Sequence, residues 1–332
     1  DTPRIDFLDD TDGHLLLEPS STNLIDNSSF QGVGTGIAPS LWGTFDTEFS
    51  SGGKDELNGF KIKFAATVDR GYIFRVITVS SQTYALSFYT HEVTTGILIS
   101  DVVAIYGVTR SIDGYFEDGL NVGNIIIQSN KRYTLVFTVS SGTSATVRLG
   151  GGVNSNATFD FVLSKPQLEQ QSYATSYIPT AGTTVTRDAE TCDSAGTAQD
   201  FNSEEGVLYV EFAALANPTS QEIAVCISQG QVGENRMLIR MKTEKKIGMV
   251  LRVADATEAT LDSVVLDQSV NHKVAVKWKV NDIALWIDGS EIDTEGAADV
   301  FAADTIDEVS FNQGNNSNFF YGNCKAIKVY KD

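Results

Sequence analysis

Across 332 residues there are only three cysteines, three histidines and 24 basic side chains against 43 acidic ones, and each shortage removes a class of function. Cys192, Cys226 and Cys324 lie in the second half without CxxC spacing. An odd count in so long a chain is not a disulfide framework, so they read as buried thiols, one pair being able to bond only in an oxidising compartment. His14, His91 and His272 are scattered, and none adjoins a GxSxG elbow or a reactive-cysteine signature, so nucleophilic hydrolysis is not expected. Histidines and cysteines this dispersed do not make a zinc site. A net charge of -19 repels phosphate backbones and anionic membrane surfaces, which excludes nucleic acid as an expected partner. No apolar run approaches the roughly 18 residues of a membrane span, so no membrane insertion is expected. Helical periodicity is scarce too: "GKDEL" and "FAADTIDEV" offer about a turn each, without caps. The chain starts "DTPRIDF", with neither Met nor a basic-apolar leader, and reads as processed or as part of a longer polypeptide.

What the chain has in abundance is alternation. "KIKFAAT", "YIFRVITV", "TYALSFYT", "YTLVFTVS", "ATVRLGG" and "ATFDFVLS" are rich in Val, Ile, Thr, Phe and Tyr and bounded by Gly, Ser, Asn and Asp, the signature of strands buried on one face. The train breaks between Leu168 and about Gly206 and resumes with "GVLYVEFAAL", "RMLIRMKT", "HKVAVKWKV", "DIALWIDG" and "CKAIKVYKD". Many short strands without interleaved helices predict an all-β chain of two antiparallel β-sandwiches. The expected segments are an N-terminal bracket at 1–22, a first sandwich at 23–170, a connector at 171–205 and a second sandwich at 206–332. No fixed-period repeat links the halves.

Within the second half, alternation places Val274, Val276 and Trp278 on one face of a strand and Ile283, Leu285 and Ile287 on one face of the next, so Trp286 points the other way. Asp288-Gly289 supplies the left-handed positions of a tight hairpin. "GGGVN" (Gly150 to Asn154) lacks the following helix and Lys of a phosphate loop. Aromatic residues that alternation does not assign to a core are Trp42, Tyr89, Tyr106, Tyr115 and Trp286, joined by the amide-rich loop "NQGNNSNFFYGN" with Asn312, Asn315 and Tyr321. Exposed aromatic faces beside amides are what sugar binding needs, so these eight are the candidate glycan-binding residues; the alternative for each is a ring packed on a loop.

Several stretches resemble known families. "NLIDNSSFQG", Trp42, "QTYALSFYT" and "KRYTLVFTV" resemble the jelly-roll carbohydrate-binding modules of the family 4/9 type over residues 20 to 170. Such modules often carry a structural calcium bound by an acid in the last strand; Ser164 and Lys165 stand there instead. "HKVAVKWKVNDIALWIDGSEI" and "CKAIKVYKD" resemble concanavalin A-like, laminin-G-like sandwiches, in which His272 is a strand-entry residue. "EIDTE" (Glu291 to Glu295) is similar to the catalytic trio of laminarinase-like family-16 glycoside hydrolases if Glu291, Asp293 and Glu295 share a face, but it directly follows a hairpin and lacks an aromatic approach, so no enzyme is expected.

The segments Thr2 to Ile25 and "PQLEQQSYATSYIPTAGTTVTRDAE" resemble those that bracket jelly rolls in bacteriophage tail-fibre, tail-spike and other virion appendage proteins. The second is expected to act as a clasp, with Tyr173, Tyr177 and Ile178 packing on sandwich surfaces and Pro179 stiffening the exit. The resemblance implies a non-catalytic appendage located in the virion, commonly a homotrimer, with host cell-surface polysaccharide and other virion proteins as partners. The alternatives are a purely structural virion part and the accessory region of a secreted polysaccharide-degrading enzyme.

Overall fold

A computed structural model describes residues 4–7, 13–45, 49–66, 71–153 and 159–331. The chain is all-β, with two antiparallel sandwiches, a jelly roll and a concanavalin A-like sandwich. Its two compact units are Ser20–Asp188 and the pair of segments Asp1–Pro19 and Ala189–Asp332.

Two short strands open the chain, β1 (Arg4–Asp6) and β2 (His14–Leu17). The jelly roll then contributes β3 (Ser21–Asn23), β4 (Gly43–Phe45), β5 (Phe49–Lys54), β6 (Phe60–Ala66), β7 (Gly71–Thr78), β8 (Thr83–Thr95), β9 (Val103–Tyr106), β10 (Thr109–Glu117), β11 (Leu120–Asn121), β12 (Lys131–Ser141), β13 (Ser144–Gly151), β14 (Phe159–Glu169) and β15 (Val185–Arg187). The second sandwich adds β16 (Glu205–Ala214), β17 (Ile223–Ser228), β18 (Arg236–Met241), β19 (Ile247–Val253), β20 (Ala256–Asp262), β21 (His272–Lys279), β22 (Ile283–Ile287), β23 (Ser290–Glu295), β24 (Glu308–Ser310) and β25 (Gly322–Tyr330).

In the jelly roll a seven-stranded sheet, β11-β10-β12-β8-β14-β6-β5, faces a four-stranded sheet, β4-β7-β13-β9. Period-two alternation fills the space between them. Tyr84, Leu86 and Phe88 of β8, Tyr133, Leu135 and Phe137 of β12, and Ala145, Val147 and Leu149 of β13 are all buried in one cluster. Each large apolar side chain buried there stabilises the unit by about 1.5–3 kcal/mol relative to exposure.

The last long strand, β14, breaks step. Its register against β8 shifts between Ser164 and Gln167, where Lys165 takes a left-handed φ of 53°, a bulge that redirects the side chains after it. Gln167 and Glu169, both fully buried, then engage the chain that follows. The Gln167 amide donates to the carbonyl oxygen of Thr175 at 3.1 Å and accepts from the Ile178 N–H at 2.6 Å. Asn23 donates to the Ile178 carbonyl oxygen at 2.9 Å and accepts from the Leu168 N–H at 3.2 Å. Thr180 donates its N–H to Ser28 Oγ at 3.0 Å, and the Tyr177 hydroxyl lies 2.8 Å from the same oxygen. These side chains supply partners that a ladder would otherwise give the backbone, so residues 171–180 form a strap on the jelly roll.

The division of the chain therefore differs from the four segments expected. Residues 171–188 belong to the unit of the jelly roll and 189–205 to that of the second sandwich. The N-terminal bracket is not a separate segment either. Leu15, Leu16 and Leu17 pair with Cys324, Asn323 and Gly322, so β1 and β2 extend the sheet of the second sandwich, and the jelly roll is an insertion after Pro19. Both ends of the insertion are closed: β3 pairs with β15, while Glu190 donates its N–H to the Glu18 carbonyl oxygen and Arg4 bridges the Glu18 and Glu190 carboxylates.

In the second sandwich the seven-stranded sheet β1-β2-β25-β16-β21-β22-β23 faces the five-stranded sheet β20-β19-β18-β17-β24. Trp278, Phe212, Ile239, Met249 and Leu285 fill its core. Asp288 and Gly289 have φ of 51° and 84°, as the expected hairpin requires. His272 is buried with one ring nitrogen 2.8 Å from the Asp288 carboxylate and the other 3.0 Å from the Asp267 carbonyl oxygen, so it ties the strand to the hairpin.

Candidate functional site

Six of the eight aromatic and amide candidates sit among packing or capping contacts. Trp42 is buried, its ring edge-on to Phe30 and its Nε1 donating to the Asn27 carbonyl oxygen at 2.9 Å. Tyr115 packs on the jelly-roll core, and burial raises the pKa of its hydroxyl. Tyr89 is half-buried, with Arg132 5.6 Å and Lys165 5.2 Å from its ring centre. In the amide-rich loop Asn312 is fully buried and accepts from the Gly314 N–H at 2.6 Å, while Phe311 and Phe320 belong to the sandwich core. Tyr321 is half-buried, and burial raises its hydroxyl pKa. Asn315 is exposed, its side-chain oxygen accepting from Ser317 Oγ at 2.6 Å. Composition reads this loop as a recognition loop; Phe311 and Phe320 anchor it on its own sheet, and among the described residues the Asn312 amide nitrogen and the Asn323 side-chain oxygen are buried without a partner.

At the position where the jelly-roll resemblance implies a calcium ligand, the Lys165 ammonium pairs with the Glu56 carboxylate. Among the described residues no group of three or more His, Cys, Asp or Glu is arranged to hold a metal. Of "GGGVN", Asn154 lies outside the described residues; Gly150 and Gly151 end β13.

Nor do the three carboxylates of "EIDTE" converge. The β22–β23 register shifts so that Glu291 opposes Trp286 while Asp293 opposes Leu285 and Glu295 opposes Ile283. Directly opposed residues share a face, so Ile292 is the extra residue of a bulge that sends Glu291 to one side and the two others to the other.

Among the described residues, two gatherings of aromatic side chains bear on a binding site. On the jelly roll, the face of the four-stranded sheet turned from the core carries Phe45 stacked on Tyr72 with ring centres 5.0 Å apart. Arg148 lies 4.9 Å from the Tyr72 ring centre and 4.0 Å from that of Tyr106. Only Tyr106 of this stack was singled out by alternation; Phe45 and Tyr72 read as strand residues like any others.

The second place is a single rung across the seven-stranded sheet of the second sandwich. Lys328 opposes Tyr209, Tyr209 opposes Ala275, Ala275 opposes Trp286, and Trp286 opposes Glu291. All five face away from the core, since their neighbours Leu208, Val210, Val274, Val276, Leu285 and Ile287 fill it. Tyr209 and Trp286 are half-buried and stand two strand spacings apart, about 9.6 Å, with only the Ala275 methyl between them. Register thus sets Tyr209 and Trp286 on either side of the Ala275 methyl, with the Lys328 ammonium 5.9 Å from the Tyr209 ring centre and Glu291 beyond Trp286. The Tyr209 hydroxyl donates to Glu211 at 3.2 Å, and burial, reinforced by that carboxylate, raises its pKa. A sugar presents C–H faces that fit such walls and hydroxyls that fit such ends. The missing signal in sequence was Ala275: its smallness matters only once Tyr209, 66 residues earlier, is known to lie beside it.

No protein-family model matches the chain, and no curated protein matches it. Among solved structures it is similar to the CBM40 module of the Ruminococcus gnavus IT-sialidase, solved also with alpha2,3 sialyllactose, at 21% identity and a TM-score of 0.35, over 43% of this chain and 90% of that one. It is also similar to domains LG4-5 of the mouse laminin alpha1 chain, at 11% identity and a TM-score of 0.30, over 76% of this chain and 84% of that one. Likenesses this distant carry no argument about what the chain binds.

Proposed function

We propose that the chain is a non-catalytic glycan-recognition protein that takes a sugar between Tyr209 and Trp286. The observation that carries this reading is the rung itself: two aromatic side chains fixed by strand register on either side of an alanine, with Lys328 and Glu291 beyond them. Because the walls stand on paired strands, little ordering is needed on binding. One such slot binds weakly, and repeated copies on a particle multiply apparent affinity without new contacts.

The setting we infer is a bacteriophage virion appendage, a tail fibre or receptor-binding protein that meets host surface polysaccharide as a trimer. Its support is the resemblance of residues 2–25 and 166–190 to the brackets of such proteins. Parts of those brackets close the two ends of the inserted jelly roll through the β3–β15 pair and the Arg4 bridge.

The test is a glycan array probed with the purified chain, followed by titration of the strongest hits. Saturable binding of at least one glycan is expected. Silence across the array, together with tight association to another virion protein, would replace this reading with a purely structural virion part.

A further inference from the structure

The outer face of the five-stranded sheet holds a cavity of about 250 Å³ whose polar lining is Arg236, Arg240, Arg252, Thr257, Thr260 and Gln313. Strand register explains the convergence. Arg236 opposes Arg252, Leu238 opposes Val250, Val250 opposes Thr260 and Arg252 opposes Thr257, while Met237, Ile239 and Leu251 turn into the core. Like charges directly opposed across a strand pair destabilise it, and this chain has far fewer basic than acidic side chains to spend.

Two of the three guanidiniums have a carboxylate. Arg240 pairs with Glu222 at 3.1 Å and Arg252 with the exposed Asp255 at 2.8 Å. Arg236 is only 7% exposed; among the described residues it has no carboxylate partner, and its hydrogen bond is to the Gln313 carbonyl oxygen at 2.7 Å. Burial and the neighbouring Arg252 lower its pKa. A buried charge without a counterion is costly, and an oxyanion in the cavity removes that cost.

We propose that this cavity binds the anionic group of an acidic sugar, a carboxylate or a sulfate ester. Guanidinium forks match both groups in geometry, and the Thr257 and Thr260 hydroxyls donate to the remaining oxygens. That the anion is borne by a sugar rests on the glycan reading above; that the cavity takes an anion does not.

The test is calorimetric titration of the full chain at low ionic strength with sodium sulfate, glucuronate, galactose 6-sulfate and galactose. Either or both of the charged sugars should bind saturably, and galactose should not compete. R252Q should weaken binding at least tenfold, while the charge-matched control R110Q in the jelly roll should leave it unchanged. R236Q should behave like R252Q; if it does not fold, R252Q carries the test. Binding of sulfate with neither charged sugar would keep the anion site but overturn its sugar ligand. No binding of any anion, or equal binding by R252Q, would overturn the proposal even if neutral glycans bind at Trp286.

Discussion

The fully buried carboxylate of Glu169 accepts a hydrogen bond from the backbone N–H of Thr175 at 3.0 Å and another from its hydroxyl. The same carboxylate takes the Ser21 hydroxyl at 2.7 Å, so one side chain joins the last long strand, the strap after it and the first strand of the jelly roll. E169A strands these donors, each costing about 1–3 kcal/mol when buried without a partner. The expected loss is roughly 3 kcal/mol, read as a lower urea midpoint, with new proteolytic cleavage within 171–188.

In the slot, A275W should fill the gap between Tyr209 and Trp286 while leaving the core untouched, because Ala275 faces outward. Glycan binding should vanish in A275W and fall at least tenfold in W286A, with melting temperatures near that of the parent chain. Undiminished binding in A275W would move recognition elsewhere, the Phe45–Tyr72 stack being the next place to look.

Glu291 makes a contrasting test. Since the bulge at Ile292 parts it from Asp293 and Glu295, no reducing sugar should be released from a panel of β-glucans, and E291Q should match the parent chain in that assay.

How far alternation can be trusted is visible in these same residues. It reads β8, β12 and β21 because one face of each is buried and the other is not. It fails at Glu291 to Glu295, where one extra residue reverses the sides, and at β14, where Lys165 does the same. Trp42 lies in a loop, so no period assigned it to the core; Asn27 and Phe30 hold it there. The pairing of Leu15 with Cys324 joins opposite ends of the chain, which no local pattern reports. Candidate residues that share a face by long-range register, such as Tyr209 with Trp286 and Arg236 with Arg252, are invisible for the same reason.

Acid sensitivity should centre on His91. Burial depresses its pKa below the ordinary 6.5, Lys61 and Lys165 add to the effect, and Asn130 and Glu56 oppose it; Ser164 Oγ lies 2.9 Å from its ring. The unfolded chain therefore takes up a proton at a higher pH than the native one. The stability linked to His91 is complete above pH 6.5 and declines on acidification until the native ring also protonates. H91Q should flatten that part of a stability-versus-pH curve measured by urea unfolding.

Thiol chemistry should single out Cys192. Burial pushes the pKa of Cys226 and of Cys324 up to about 12, whereas Cys192 is half-buried with a smaller rise from the same cause. An aromatic disulfide reagent should label at most one thiol per native chain, slowly, and three after denaturation.

On the side of β2 away from β1, Leu15 and Leu17 find their sheet neighbour in β25. On a ribosome the inserted domain is contiguous and can fold as soon as it emerges, but its host cannot. At about 5–20 residues per second, the gap between completing the one and supplying the closing strand of the other is on the order of ten seconds. For that time the opening hairpin is an apolar strand pair in search of an edge, and a truncation that removes β25 should turn a transient exposure into a permanent, sticky one.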